Sequence, residues 1–441
     1  MKLRDYQKSG LERLLRLGGD ALLADEPGLG KTAVALSYCL ALDAASVLVV
    51  CPASLRLNWR REMALWWPSE PILGAEVVSY EGLVKAARAG LPPFAVAIFD
   101  EAHYLKNPST RRTKAALSVR AGRRLFLTGT PMVNRPMDLW PLLKAMGCRI
   151  SRVEFGKRYC AGVLKPVSFR RGRPVRWAWD FRGASHLEEL AEGLSRRWMV
   201  RRLKADVLSE LPPKSRTVVE LPASGPAEPG EVRGLALRVI RSWDEYGADA
   251  ADAAIGLMPR EIAVLTAARL EAGRRKLPQV INHLRGSLLE EEDKVVVFAW
   301  HREIIEQLAR EFRDVGAVAL HGGMSDAAKD AAVRAFQEGT SRLFVGQILA
   351  AGTGLTLTAA STVVFAEIDW VPGNMAQAED RCHRIGQGSP VRVIVMALEG
   401  SADLLLANAL VAKADTINRA VRPSEGPAAA LAAQIGEIHH D

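Results

Sequence analysis

At 441 residues the chain exceeds one ordinary core, its 49% hydrophobic and 25% charged residues are the mix of a soluble globular protein, and with no run of about 18 uncharged apolar ones no membrane-spanning helix is read. Five cysteines without a CxxC pair or a neighbouring histidine cluster argue against a zinc or disulfide framework and fit a reducing, cytoplasmic compartment. The net charge of +9 is concentrated: residues 149–204 hold 15 Lys and Arg against 5 Asp and Glu, which suits a polyanion partner or, equally, a solvated basic face.

The N-terminus, Met1 to Gln7, has neither an apolar core nor a small-residue cleavage site, so no secretion signal is read. Ala21–Ala24, Val47–Cys51, Val77–Ser79, Val96–Phe99 and Leu125–Thr128 read as short buried strands. Helical patterns separate them, which predicts a parallel α/β sheet. Residues 146–216 are basic and carry several aromatics. A strand-like Thr217–Leu221 follows, then a Pro/Gly/Ala-rich linker at Pro222–Gly230 and a helical pattern from Val232 to Arg275. The strand grammar returns at Val295–Ala299, Val318–His321, Leu343–Gly346, Val363–Ala366 and Val391–Ala397.

The expected division is a first lobe at 1–145 and a basic helical insertion at 146–221 that completes it. A linker and helical protrusion at 222–275, a second lobe at 276–422 and a flexible tail at 423–441 follow.

Three strings carry chemistry. Asp25-Glu26-Pro27-Gly28-Leu29-Gly30-Lys31-Thr32 follows a strand and opens a helix, as a phosphate loop must. Its glycines let backbone N–H groups turn inward, Lys31 reaches the β/γ-phosphates and Thr32 ligates Mg²⁺. Asp25 stands where the strict motif has its first Gly, so a plain Gly-rich turn stays open.

Asp100-Glu101-Ala102-His103 ends a strand, where ligands sit in such sheets. Asp100 would hold Mg²⁺ and Glu101 would deprotonate the attacking water. Alternatively the acids only favour a helix N-terminus. Arg381 and Arg384, three apart in QAEDRCHRIGQ, share one face if that segment is helical. They suit a γ-phosphate or, in isolation, a surface salt-bridge helix.

The ordered set LRDYQ (3–7), DEPGLGKT (25–32), CPASL (51–55), DEAH (100–103), LTGTP (127–131), AGTGLTLTAAS (351–361) and QAEDRCHRIGQ (377–387) closely resembles the Swi/Snf-type ATPases of helicase superfamily two. FGKRYC (155–160), RRLKADVL (201–208), LPPK (211–214), Thr356 and FAE (365–367) are similar to the annealing-helicase, fork-remodelling branch. No separate substrate-recognition domain is read within these 441 residues, a departure from that branch.

The resemblance implies two RecA-like parallel-sheet lobes of the P-loop NTPase type. It implies ATP and Mg²⁺ as cofactors, with Lys31, Asp100, Glu101, Arg381 and Arg384 as the catalytic set. Arg4, Tyr6, Gln7, Asp25, Glu26, Gly28, Leu29, Gly30, Gly352 and Gly354 would line the nucleotide. Thr130 would couple ATP state to DNA grip. Pro52, Ala53, Ser54, Ser79, Tyr80, His321, Gly322 and Thr356 fall in segments that track a DNA backbone in relatives. Trp370 would stack on a base or close the packing of the second lobe.

The activity implied is that of a monomeric, DNA-dependent ATPase moving on duplex or forked DNA without sequence preference. A protein partner would lend substrate specificity. A strand-separating helicase and a non-enzymatic DNA scaffold are the alternatives. The Ala, Arg and Gly content fits a bacterial or phage origin.

Overall fold

The computed structural model describes residues 2–67, 74–129, 131, 136–170, 173–181, 183–208, 210–223, 228–246, 257–351 and 355–420. Contacts divide the chain into two units, Met1–Ser209 and Glu210–Arg419.

In the first unit the described strands are β1 (Ala21–Leu23), β2 (Ser46–Cys51), β3 (Gly74–Ser79), β4 (Phe94–Asp100), β5 (Ala121–Leu127), β6 (Val163–Arg170), β7 (Arg173–Asp180) and β8 (Met199–Val200). Six of them form one parallel sheet in the order β3-β2-β4-β5-β1-β8. Its strands are apolar throughout because both faces are covered. Leu22, Leu48, Val50, Ala97, Phe99 and Phe126 pack into one core layer. Their alternate neighbours Ala21, Leu23, Val47, Val49, Ile98 and Leu125 pack into the other.

The second unit repeats the plan with β9 (Lys214–Leu221), β10 (Val295–Ala299), β11 (Val318–Leu320), β12 (Leu343–Gln347), β13 (Thr362–Phe365) and β14 (Val391–Leu398). Their order is β11-β12-β10-β13-β14-β9, again parallel.

Three expectations are corrected. The strand read at Thr217–Leu221 was assigned to the first lobe; as β9 it pairs along its whole length with β14, so the boundary falls near residue 210 and not at 221. The helical pattern expected to protrude at 222–275 is packed: Val232, Leu235, Val239 and Leu265 of helices Gly230–Tyr246 and Pro259–His283 lie in the second unit's core. Their apolar stripe is long enough to require cover. The basic insertion is not only helical, since β6 and β7 form an antiparallel hairpin within it and β8 returns to the main sheet. The expected tail at 423–441 lies outside the described residues. Among the described residues no helix is long and apolar enough to cross a membrane.

Candidate functional site

In a parallel sheet every strand delivers its C-terminal end to the same edge. In the first unit that edge receives the 25–32 loop after β1, Pro52–Ser54 after β2, Ser79 at the end of β3 and Asp100-Glu101 at the end of β4. Gly28 and Gly30 sit at φ 89° and 77°, left-handed conformations that an L side chain resists. A Cβ on Gly30 would also lie 2.4 Å from Gln7 Nε2. Lys31 Nζ donates to the Asp25 and Glu26 carbonyls at 2.7 and 3.3 Å, so the ammonium lies within the loop.

Helix Lys31–Ala41 begins at Gly30 with no side-chain cap and no acid in its first turn. Its positive N-terminal end is therefore uncompensated, and Thr32 is partly exposed in that turn. This cradle fits an ATP triphosphate. Thr32 and Asp100 could supply the hard oxygen donors that Mg²⁺ takes, and a bound ion would neutralise phosphate charge.

The N-terminal helix Asp5–Leu17 is tied to the loop at one atom. The Leu29 carbonyl accepts from Tyr6 Oη and Gln7 Nε2, each at 3.1 Å, while Gln7 Oε1 accepts from the Arg4 amide at 2.9 Å. The carboxylates of Asp25 and Glu26, expected to line the nucleotide, point elsewhere. Asp25 is fully buried and accepts from Arg202, whose Nε lies 2.9 Å from Oδ1. Arg202 also donates to the Tyr6 carbonyl and lies over the Tyr6 ring. Glu26 accepts from the Lys204 amide. Two carboxylates facing a triphosphate would repel it; here they turn to the segment Arg201–Lys204, Asp25 in an ion pair with Arg202 and Glu26 on a backbone amide. Arg201 adds a bond of 3.0 Å to the Ala24 carbonyl.

Asp100 accepts from Trp59 Nε1 at 2.8 Å and from the Glu101 amide at 2.9 Å. Burial, then the neighbouring Glu101 charge, pushes its carboxyl up to about 6; the Trp59 bond and the Lys31 charge pull the other way. A divalent cation at this carboxylate would reverse that penalty. Glu101 has φ 50° and ψ 52°, a sparsely populated conformation for a non-Gly residue. Its carboxylate is 3.2 Å from His103 Nδ1, which also lies 3.3 Å from Thr128 Oγ1.

Tyr80 was expected to track DNA. Its ring is 2% exposed and its hydroxyl donates to the Asp100 carbonyl at 2.8 Å, so the side chain props up the acid pair. Ser79 Oγ caps the following helix through the Gly82 amide, whereas Ala53 and Ser54 are exposed. Thr130 lies outside the described residues.

In the second unit, Arg381 and Arg384 were expected on one helical face. Helix Pro372–Glu379 stops before them, and both lie in the turns that follow. They converge all the same, because Arg384 Nη1 and Arg381 Nη1 donate to the Leu355 carbonyl at 3.1 and 3.5 Å. Arg216 grips Glu379 with two bonds of 3.0 and 2.6 Å. Lys214 reaches Glu379 and Asp380 at 2.8 and 3.3 Å, and His383 Nε2 lies 2.8 Å from the Pro212 carbonyl.

Thr356 is half-buried beside Leu355, and Gly352 and Gly354 lie outside the described residues. His321 is largely buried and its Nδ1 accepts from the Gly323 amide, while the exposed Gly322 amide donates to Gln347. Trp370 and Trp300 sandwich the buried Arg269 guanidinium, whose carbon is 4.8 and 4.6 Å from the ring centroids. Of the two readings of Trp370, packing is the one observed.

Much of the basic 149–204 charge is engaged inside the unit. Arg158 pairs with Glu189, Lys165 with Asp180, and Lys157 lies over Trp179. The residues that sequence reasoning missed are the supports: Trp59, Arg202, Lys214 and Arg216. Only the proximity of LPPK and RRLK to known motifs hinted at the last three.

Comparison with known proteins adds the following. The SNF2-related domain family matches residues 6–86 and 77–227, and the helicase conserved C-terminal domain matches residues 275–386. A Xenopus tropicalis protein described as "SWI/SNF-related matrix-associated actin-dependent regulator of chromatin subfamily A-like protein 1" is 33% identical over 91% of this chain and 43% of its own length. The mouse (Mus musculus) "DNA annealing helicase and endonuclease ZRANB3" is 33% identical over 92% of this chain and 39% of its own. The chain thus spans about two fifths of the length of these relatives. A solved Sulfolobus solfataricus SWI2/SNF2 ATPase core in complex with dsDNA is similar over 99% of this chain and 97% of that one, at 22% identity and a TM-score of 0.44.

Proposed function

The chain belongs to the SNF2-related family, and on that premise we propose that it is an ATP-driven translocase on duplex or branched DNA, acting to reanneal or remodel forks. The observation that carries the reading is one sheet edge that combines a phosphate loop with Lys31 inside it and a buried Asp100-Glu101 pair. Lys31 and the helix N-terminus hold the β/γ-phosphates. Thr32 and Asp100 hold Mg²⁺, and Glu101 takes a proton from the attacking water. Arg381 and Arg384 neutralise charge that develops on the transferred phosphoryl group. The set is divided, with Lys31, Thr32, Asp100 and Glu101 in the first unit and Arg381 and Arg384 in the second, and DNA binding would drive hydrolysis.

The relatives described as annealing helicases support the fork assignment. Exposed Ala53 and Ser54 at the same sheet edge suit phosphate contacts, which read no sequence. Steady-state ATP hydrolysis at one salt concentration, with no DNA, single strands, blunt duplex and a model fork, tests the reading. Duplex stimulation is expected, with the fork highest. Stimulation mainly by single strands would favour the strand-separating alternative, and rates unmoved by any DNA would overturn both.

A further inference from the structure

We propose that the cleft between helices Tyr80–Ala89 and Arg111–Ser118 binds a phosphodiester stretch of nucleic acid and is wired to Glu101 through Tyr104 and His103. The proposal rests on the reading of a DNA-driven ATPase and adds a second contact for that DNA.

The cleft measures about 540 Å³ and lies within the first unit. Lys85, Arg88, Arg111 and Arg112 line it, against one carboxylate, Glu81. Lys85, Arg88 and Arg111 are exposed and make no ion pair among the described residues. Arg112 is set in place: its guanidinium lies 4.8 Å from the Tyr104 ring centroid and 5.6 Å from that of Tyr80. Glu81 is 3.6 Å away, mostly exposed, and readily displaced.

Four cations gathered around one opening repel one another and call for an anion. A stacked guanidinium presents its donor fork to phosphate oxygens in a fixed plane. The Tyr80 ring is buried, and the partly exposed Tyr104 ring carries the Arg112 guanidinium on one face. Four cations around one opening match a phosphate backbone that is gripped and not read.

The walls of the cleft lead to the acid pair. The Tyr104 ring stacks on His103 at 4.9 Å between centroids, and His103 Nδ1 is 3.2 Å from Glu101 Oε2. Tyr80 Oη holds the Asp100 carbonyl. A phosphate that draws Arg112 off Glu81 therefore moves the ring that supports the histidine beside Glu101. Tyr104 is a positioning residue in this scheme.

The test uses Lys85→Glu/Arg88→Glu and the milder Lys85→Gln/Arg88→Gln, with fluorescence anisotropy of a labelled duplex as a function of salt. Each lost phosphate contact flattens the slope of log affinity against log salt by about 0.9, so the neutral double variant should flatten it by about 2. Duplex affinity should fall by about tenfold or more at low salt. The DNA concentration for half-maximal ATPase stimulation should rise in parallel, with KM for ATP unmoved. Unchanged slope and affinity would overturn the site; a raised KM for ATP with DNA binding intact would make the occupant a free nucleotide. A wild-type protein that binds duplex without stimulated hydrolysis would remove the translocase reading, yet the anisotropy arm would still decide on the cleft. For the wiring, Tyr104→Ala should cut the maximal DNA-stimulated rate severalfold and Tyr104→Phe should restore it. A rate within twofold of wild type in Tyr104→Ala would sever that link.

Discussion

The two halves of the candidate catalytic set are held by different partners. In the first unit the reactive groups themselves are pinned: Asp100 by Trp59 and the Glu101 amide, Lys31 by two loop carbonyls. In the second unit Arg381 and Arg384 share the Leu355 carbonyl, Arg381 Nε also donates to the Gln377 carbonyl at 3.1 Å, and behind them Lys214 and Arg216 clamp Glu379 and Asp380. A metal-binding carboxylate must be in place before its ion arrives. An arginine that answers charge appearing during the reaction works best when the turn that carries it is already fixed.

That contrast can be broken from either side. Arg384→Ala should lower kcat by about 10³ or more if its guanidinium meets transition-state charge; a few-fold loss would leave it a turn-stabilising residue. Glu101→Gln should retain ATP binding and lose about 10²–10⁴ in turnover, read by single-turnover hydrolysis, and normal turnover would remove it as the base.

Arg216→Ala tests the clamp behind the fingers. Glu379 is buried and loses a bidentate partner, so about 3 kcal/mol of stability should go, measured by urea unfolding. If the clamp positions the arginines, kcat should also fall at unchanged KM for ATP, and a stability loss with normal kcat would make it a packing element alone.

Asp100→Asn sharpens the other side. A raised carboxyl means that the folded state holds its proton more tightly, so the metal-free wild type loses stability as pH rises from about 4 to about 6, the ordinary value being 3.8. Above that window the buried charge costs its full amount. The variant should be more stable by roughly 3 kcal/mol at pH 8 and by almost nothing at pH 4, by denaturant titration. Trp59→Phe keeps an aromatic ring but removes the donor, so its pH-dependent loss should be slightly larger than that of wild type. An identical pH profile would show the indole to be packing only.

The four arginines at 170, 171, 173 and 176 carry the smallest and broadest expectation. Their neutralisation should flatten the salt dependence of DNA binding, and an unchanged slope would return the basic segment to a structural role. Their side chains lie outside the described residues, while many neighbouring cations are engaged within the unit.

The sequence by itself determined the two parallel-sheet units and the phosphate-loop and acid motifs. Strand spacing, paired glycines and acids at a strand end are local signals, and local signals survive in one dimension. Tertiary structure decided everything that depended on a partner far along the chain. Asp25 reads as a loop acid until Arg202, 177 residues on, takes its carboxylate. Tyr80 reads as a contact residue until its hydroxyl meets the Asp100 carbonyl. The strand after LPPK reads as the end of the first lobe until its register with β14 assigns it to the second. The arginines read as a helical pair until the helix stops at Glu379 and the Leu355 carbonyl brings them together instead. A motif names its side chains; which polar group each one meets is set by packing, because a buried charge or hydroxyl must find a partner wherever the chain has placed one.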